Sequence, residues 1–330
     1  MPALLSPFSL GALTLRNRIV MPPMVCAVKP ELHAAADSDG QVSEALLAHY
    51  RRRALGVGMV LVEATAVAAS GRCWPGGLGA FADGQQTGLA ALALAIHDAG
   101  AVPGIQLVHG GPQGAVALCG EVIGPSAVPP RAGAPIPRPM TRAEIADLPD
   151  VFAAAAERVV QAGFGVVEVH GAHGFLLDSF LQAARNQRTD VYGGSVDNRL
   201  RLLLEVCIRV KIQLAGRAVL ACRISPFTHD GLTAEEFVRW VRELERTGVE
   251  LLHLSTPGAL QGVFGTTRTL GQWARDITIL PRILAGGLGD PFLAQRVIEE
   301  GHAELAAVGR ALLEDSEWPA HAREVLAGEE

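Results

Sequence analysis

The chain has 330 residues, 49% of them hydrophobic and 19% charged, so it can bury a large core and is not disordered. Its 28 basic residues against 34 acidic ones give a formal charge of −6, with no basic excess to neutralise a nucleic-acid backbone. Apolar runs such as 90–96 fall short of the ~20 residues of a membrane span, and MPALLSPFSLGAL lacks a secretory signal's basic start and cleavage site. A cytoplasmic globular protein without nucleic-acid or membrane partners is therefore expected.

Short β-branched runs alternate with amphipathic stretches along nearly the whole chain. Strands are predicted at 18–24, 57–65, 102–109, 165–171, 218–225, 249–256, 279–286 and 304–309. Helical patterns fall at 43–55, 85–99, 143–162, 196–214, 234–247, 268–276 and 291–300, with a last one over 310–326. Thr233 followed by Glu236 reads as a capping box at a helix start. Strand–helix alternation implies parallel strands, and eight near-continuous apolar strands fit one closed α/β barrel, a (β/α)8 TIM barrel, better than an open sheet or two domains. The five cysteines show no CxxC spacing, which argues against zinc and cysteine-ligated clusters, so no metal is expected. The longest interruption, 110–141, holds seven of the 20 prolines and reads as a lid leaving the C-terminal end of strand three.

Barrel active sites occupy the C-terminal strand ends. There the sequence places Glu63 and Thr65, Gln106 and His109, Glu168 and His170, Arg223 and Ser225, and His253 and Ser255. Five consecutive strands ending in such groups describe a pocket for a polar ligand. The two glutamates read as members of an interior ion network, because buried charges need partners, whereas Arg223 suits either that network or the ligand. Strand seven runs into Ala285-Gly286-Gly287-Leu288-Gly289 and strand eight into Gly309-Arg310. Glycines let backbone N–H groups approach an anion, and the turns after strands seven and eight are the usual phosphate site of barrels. His170 and His173, three residues apart at the end of strand four, could jointly donate hydrogen bonds to one substrate oxygen. From spacing alone, phosphosugar isomerase, aldolase and flavin enzyme all stay open.

At these residues the sequence resembles a known family. EVHGAHGFLLDSFLQAARNQRTDVYGGSVDNRLRLL (168–203) is similar to the signature of the old yellow enzyme family, FMN-dependent oxidoreductases on an eight-stranded barrel. NRIVMPPM, VEATAVAASGR, GIQLVHGG, GPSAV and VGRALLED match in family order and span almost the whole chain, whose length is that of the shorter, thermophilic-like ene-reductases. The resemblance implies that Pro22, Pro23, Met24, Val25 and Ala64 line the flavin ring, Gln106 meets its pyrimidine edge and Arg223 lies near N1. It implies that Gly286, Gly287, Gly309 and Arg310 hold the FMN phosphate, and that His170 and His173 bind the activating oxygen of the substrate. NADPH or NADH reduces the flavin, which passes hydride to an electron-poor alkene such as an α,β-unsaturated carbonyl compound. Relatives commonly self-associate.

Three positions depart from the family pattern. Phe175 stands where the family usually has a tyrosine that protonates the α-carbon; water or another residue such as His229 would have to replace it. Val25 stands where cysteine or threonine is usual, with Cys26 one residue on and so on the opposite face of a strand. Pro112 and Ala27 replace an arginine and a substrate-contacting tyrosine. These departures keep further outcomes in view: desaturation, isomerisation, quinone or nitro reduction, or FMN binding with little turnover. Tyr192-Gly193-Gly194 and Asn198-Arg199 read as packing elements.

Overall fold

The computed structural model describes residues 2–25, 40–229 and 231–328. Cys26 and Ala27 lie outside the described residues. Eight parallel strands close into a barrel in chain order: strand 1 Ile19–Met21, strand 2 Met59–Ala66, strand 3 Val102–Val108, strand 4 Val166–Gly171, strand 5 Val219–Ile224, strand 6 Leu251–Ser255, strand 7 Arg282–Ala285 and strand 8 Leu305–Ala307. Helices Glu44–Ala54, Gln86–Asp98, Arg142–Gln161, Val196–Leu214, Ala234–Arg246, Leu270–Arg275 and Pro291–Glu299 fall between them.

Local chemistry starts these helices. Thr141, Thr233 and Thr269 form capping boxes with Glu144, Glu236 and Gln272, and Ser43, Ser195 and Asp290 accept a first-turn N–H. Strand 1 is shorter than the predicted 18–24 because Pro22 and Pro23 have no N–H to continue the ladder. Strand 7 is shorter than 279–286: Pro281 delays its start, and Ile279 is 95% exposed. The predicted last helix is broken into Arg310–Glu314 and Trp318–Ala327, with Pro319 in the first turn of the second piece.

Two features escape the sequence pattern. An antiparallel hairpin of two three-residue strands, Phe8–Leu10 with Leu13–Leu15, precedes the barrel. Leu10 and Leu15 share one buried cluster with Val20, Met59, Leu61, Val166, Val219, Leu251, Ile283 and Leu305, so the hairpin plugs the N-terminal end. Strand 2 carries a bulge at Glu63: Val62 pairs with Ile105, but Ala64 already pairs with Gln106. Such a bulge re-aims the side chains beyond it.

The insertion at 110–141 is mostly irregular, with one short helix, Val116–Cys119, and a two-residue parallel pairing of Ile123–Gly124 with Arg138–Pro139. It is pinned to the segment after strand 4. Arg185 donates to the carbonyls of Pro129 and Pro130, and Arg188 to those of Pro125 and Met140.

The hairpin plug has a measurable contribution. Leu15→Ala should lower unfolding stability by about 2–5 kcal/mol, the range for truncating a buried leucine. Urea unfolding measures this; an unchanged midpoint would show that the hairpin does not seal the barrel.

Candidate active site

Side chains two apart on a strand share a face, so the inward rows of strands 4 to 6 read Val166-Glu168-His170, Val219-Ala221-Arg223 and Leu251-His253-Ser255. Their lower members belong to the apolar barrel cluster and their upper members are polar. The ladders bring Gln106 beside Glu168, His170 beside Arg223, and Arg223 beside His253. Gln106, Glu168, His170, Arg223, His253 and Ser255, from four of the five predicted strand ends, thus come together in one layer, whereas Thr65 pairs with Leu107 of the outer core and its hydroxyl donates to the Glu63 carbonyl.

Glu168 is fully buried at the centre of that layer. Its Oε1 accepts from Gln106 Nε2 at 2.7 Å, and its Oε2 accepts from His253 Nδ1 at 2.6 Å. Burial alone would raise the carboxyl's pKa, but His253, Arg223 and Gln106 together hold it below the ordinary range. Glu168 thus has the partners a buried charge needs, but they are Gln106 and His253 rather than Arg223. Arg223 Nη2 donates to Ser255 Oγ at 3.3 Å, while its buried Nε has no hydrogen-bond partner among the described residues.

His170 and His173 face one another with ring centroids 5.3 Å apart. Burial pushes both below the ordinary imidazole range, aided by Arg223 and, for His170, by His173; His173 is held at about 3. Both rings are therefore neutral at neutral pH. His173 has φ 60° and Gly174 φ 78°, a left-handed pair that must be held in place. The His173 N–H donates to Ser225 Oγ at 2.8 Å, Gln113 Nε2 donates to the His173 carbonyl at 2.6 Å, and Gly174 N–H donates to Asp178 Oδ2 at 2.6 Å. The ring is held as well, with Nε2 3.0 Å from Ser255 Oγ.

Phe175 caps the short helix Leu176–Leu181, its ring centroid 5.0 Å from that of His170 and 6.3 Å from that of Trp74. His229 is engaged elsewhere: its Nε2 lies 2.7 Å from Asp178 Oδ1 and its ring packs on Trp240. Asp178 and Trp74 were not singled out by sequence reasoning. Asp178 lies within the signature run, but nothing in its spacing shows that it reaches back to a backbone N–H.

A cavity of about 730 Å³ opens beside this layer, lined by Pro22, Met24, Arg223, Ser255, Ala285, Gly286, Gly287, Gly309 and Arg310, among others. Its glycines are there for space. A Cβ at Gly286 would lie 2.4 Å from the Thr256 carbonyl, and one at Gly309 2.9 Å from Met24 Sδ. Gly287, at φ 69°, turns the chain along the cavity wall. Arg310 is exposed at the cavity wall, at the start of the helix Arg310–Glu314. Pro23 is buried, Val25 half-buried, and Ala64 stands on strand 2 just past the bulge. Tyr192, Asn198 and Arg199 serve packing: Asn198 donates to the Gly193 carbonyl, and Arg199 to those of Leu181 and Gly194.

His109 sets a pH dependence. Burial lowers it to about 4, and its Nδ1 accepts from Gly111 N–H. Unfolded, it titrates near ~6.5. Between those values the unfolded chain binds more protons, so this contribution to stability is complete above pH 6.5 and is lost as pH falls towards 4. His109→Gln should flatten the fall of Tm over that interval; an unchanged slope would refute the assignment.

The NADH:flavin oxidoreductase / NADH oxidase family model matches residues 3–329. The chain is 36% identical to the NADPH dehydrogenase of Geobacillus thermodenitrificans over 321 residues, 96% of this chain and 92% of that one. It is also 36% identical to the NADPH dehydrogenase of Bacillus licheniformis over 332 residues, 98% of this chain and 94% of that one. Among solved structures, the old yellow enzyme homologue of Zymomonas mobilis aligns with a TM-score of 0.86 at 29% identity, covering 98% of this chain and 93% of the other. Morphinone reductase aligns at 0.85 and 27% identity, covering 98% and 90%. With a matching barrel and a match along nearly its whole length, the chain belongs to the NADH:flavin oxidoreductase / NADH oxidase family, the old yellow enzymes, and is an FMN-dependent oxidoreductase.

Proposed function

We propose that this enzyme is an ene-reductase, reducing activated alkenes such as α,β-unsaturated carbonyl compounds with NADPH or NADH. The observation that carries this reading is the pair of neutral imidazoles, His170 and His173, in the polar layer that supplies Arg223 to the cavity wall. That cavity suits FMN on three counts: a volume of about 730 Å³, a buried Arg223 Nε without a partner among the described residues, and glycine turns where a Cβ would meet neighbouring atoms. In this reading Gly286, Gly287, Gly309 and Arg310 hold the phosphate, Gln106 the pyrimidine edge and Arg223 the N1 side. Pro22, Pro23, Met24, Val25 and Ala64 line the ring.

When bound, FMN supplies hydride transfer between the nicotinamide and the alkene. The chain's own residues bind and polarise. Each neutral imidazole has one N–H to donate, so His170 and His173 together can hold one substrate oxygen and stabilise the charge that develops on it. Their low pKa values leave this donor pair unchanged through the neutral range.

Phe175 brings no proton to the α-carbon, and loss of a general acid typically costs about 10²–10⁴ in rate. His229 is occupied by Asp178, so solvent is the proton source for the alkene reaction in this reading. The phenyl ring also favours a second reading, in which quinones or nitro compounds are the better substrates because they take up protons on oxygen or nitrogen. We read the protein as cytoplasmic; no described helix is long and apolar enough to cross a membrane.

The purified protein should be yellow and bleach under anaerobic NADPH or NADH. His173→Ala should lower alkene kcat/KM by roughly 10²-fold while FMN stays bound, the scale for removing one oxyanion donor. Phe175→Tyr should raise alkene turnover by at least tenfold and leave bleaching by the nicotinamide unchanged. Steady-state and stopped-flow assays separate these effects. A tyrosine variant no faster than the parent would show that the phenol is not limiting and would favour the quinone and nitro reading.

A further inference from the structure

We propose that Glu168 is a positioning residue and the fixed counter-charge of the flavin site, orienting Gln106, opposing Arg223 and so holding down the reduction potential of bound FMN. This rests on the FMN placement proposed above. Both oxygens of the buried carboxylate are committed, Oε1 to Gln106 Nε2 and Oε2 to His253 Nδ1. With one N–H tied to Glu168, the Gln106 amide keeps its carbonyl oxygen and one N–H to offer the ring. That pattern suits a pyrimidine edge, which carries an N–H between two carbonyls.

Arg223 makes no ion pair with Glu168. Its hydrogen bond goes to Ser255 Oγ, and its Nε has no partner among the described residues, so the two charges act on each other through space. His253, also fully buried, has an Nε2 without a partner among the described residues, and burial keeps its imidazole below the ordinary range. With Nδ1–H given to the carboxylate and Nε2 unpartnered among the described residues, His253 has the arrangement of a neutral imidazole, so the charges of this layer are the Glu168 carboxylate and the Arg223 guanidinium.

Reduction adds negative charge on the pyrimidine side of the flavin. Arg223 favours that charge and Glu168 opposes it; in a buried layer neither is well screened. Removing the carboxylate's charge leaves the guanidinium unopposed and makes reduction easier. A residue that merely braced the barrel would alter stability or FMN affinity without this directed change in potential.

The test compares the FMN-loaded parent with Glu168→Gln, which keeps the side chain's size and an acceptor for Gln106. Anaerobic titration against reference dyes should show the variant's potential raised by at least tenfold in the reduction equilibrium, about 30 mV for a two-electron couple. Glu168→Asp, which retains the charge, should stay near the parent. A Glu168→Gln potential that is unchanged or more negative overturns the proposal. If Glu168→Gln does not fold, Glu168→Met combined with His253→Leu removes the charge with apolar groups of similar size, a replacement that buried ionic pairs often tolerate. The same criterion then applies. A parent that takes up no FMN would instead overturn the functional reading itself.

Discussion

Closing eight parallel strands sends every second side chain into a shared interior, and everything chemical in this protein depends on how that interior is divided. The lower half is apolar and is sealed by Leu10 and Leu15 of the N-terminal hairpin. The upper half holds Glu168, Arg223, His253 and His170, each on a strand flanked by a strand that carries another. Charges in such a place must be paired or hydrogen-bonded to persist, and the central carboxylate meets that demand by taking a bond at each oxygen. Its partners are thereby fixed in orientation before any ligand arrives.

The loops extend this order beyond the barrel. His173 lies outside strand 4 in a left-handed conformation, and its backbone is secured by Ser225 from strand 5's end and Gln113 from the insertion. Asp178 adds a third hold through Gly174 and ties in His229 from the loop after strand 5. The oxygen-binding pair of the proposed mechanism is thus built on one rigid strand residue and one loop residue that three segments hold in place. This is the arrangement expected where geometry must survive substrate exchange.

The cavity beside the polar layer is shaped by small residues. Gly286 and Gly309 leave room where a methyl group would meet the Thr256 carbonyl or the Met24 sulfur. Arg223 bridges the two regions: it belongs to the buried layer by its position on strand 5 and to the cavity by its lining face. The glycine turns, Pro22, Met24 and Arg223 share the cavity wall, and the imidazole pair adjoins it through the pairing of His170 with Arg223.

The amino-acid sequence by itself determined the barrel, because strand-and-helix alternation recurs eight times and parallel strands leave few ways to close. It also determined which strand ends are polar, since a period of two places Glu168 with His170 and Arg223 with Ser225 on common faces. Its limits lay where a property depends on chain segments distant in sequence. The bulge at Glu63 is a matter of pairing with strand 3. The three-residue strands of the hairpin are too short to show a period, and only packing against the barrel floor reveals its purpose. Asp178 reads as an ordinary helix residue until the fold brings Gly174 and His229 to its two oxygens. Hydrogen bonds between residues far apart in the chain leave no periodic trace in sequence, so only the tertiary structure could decide them.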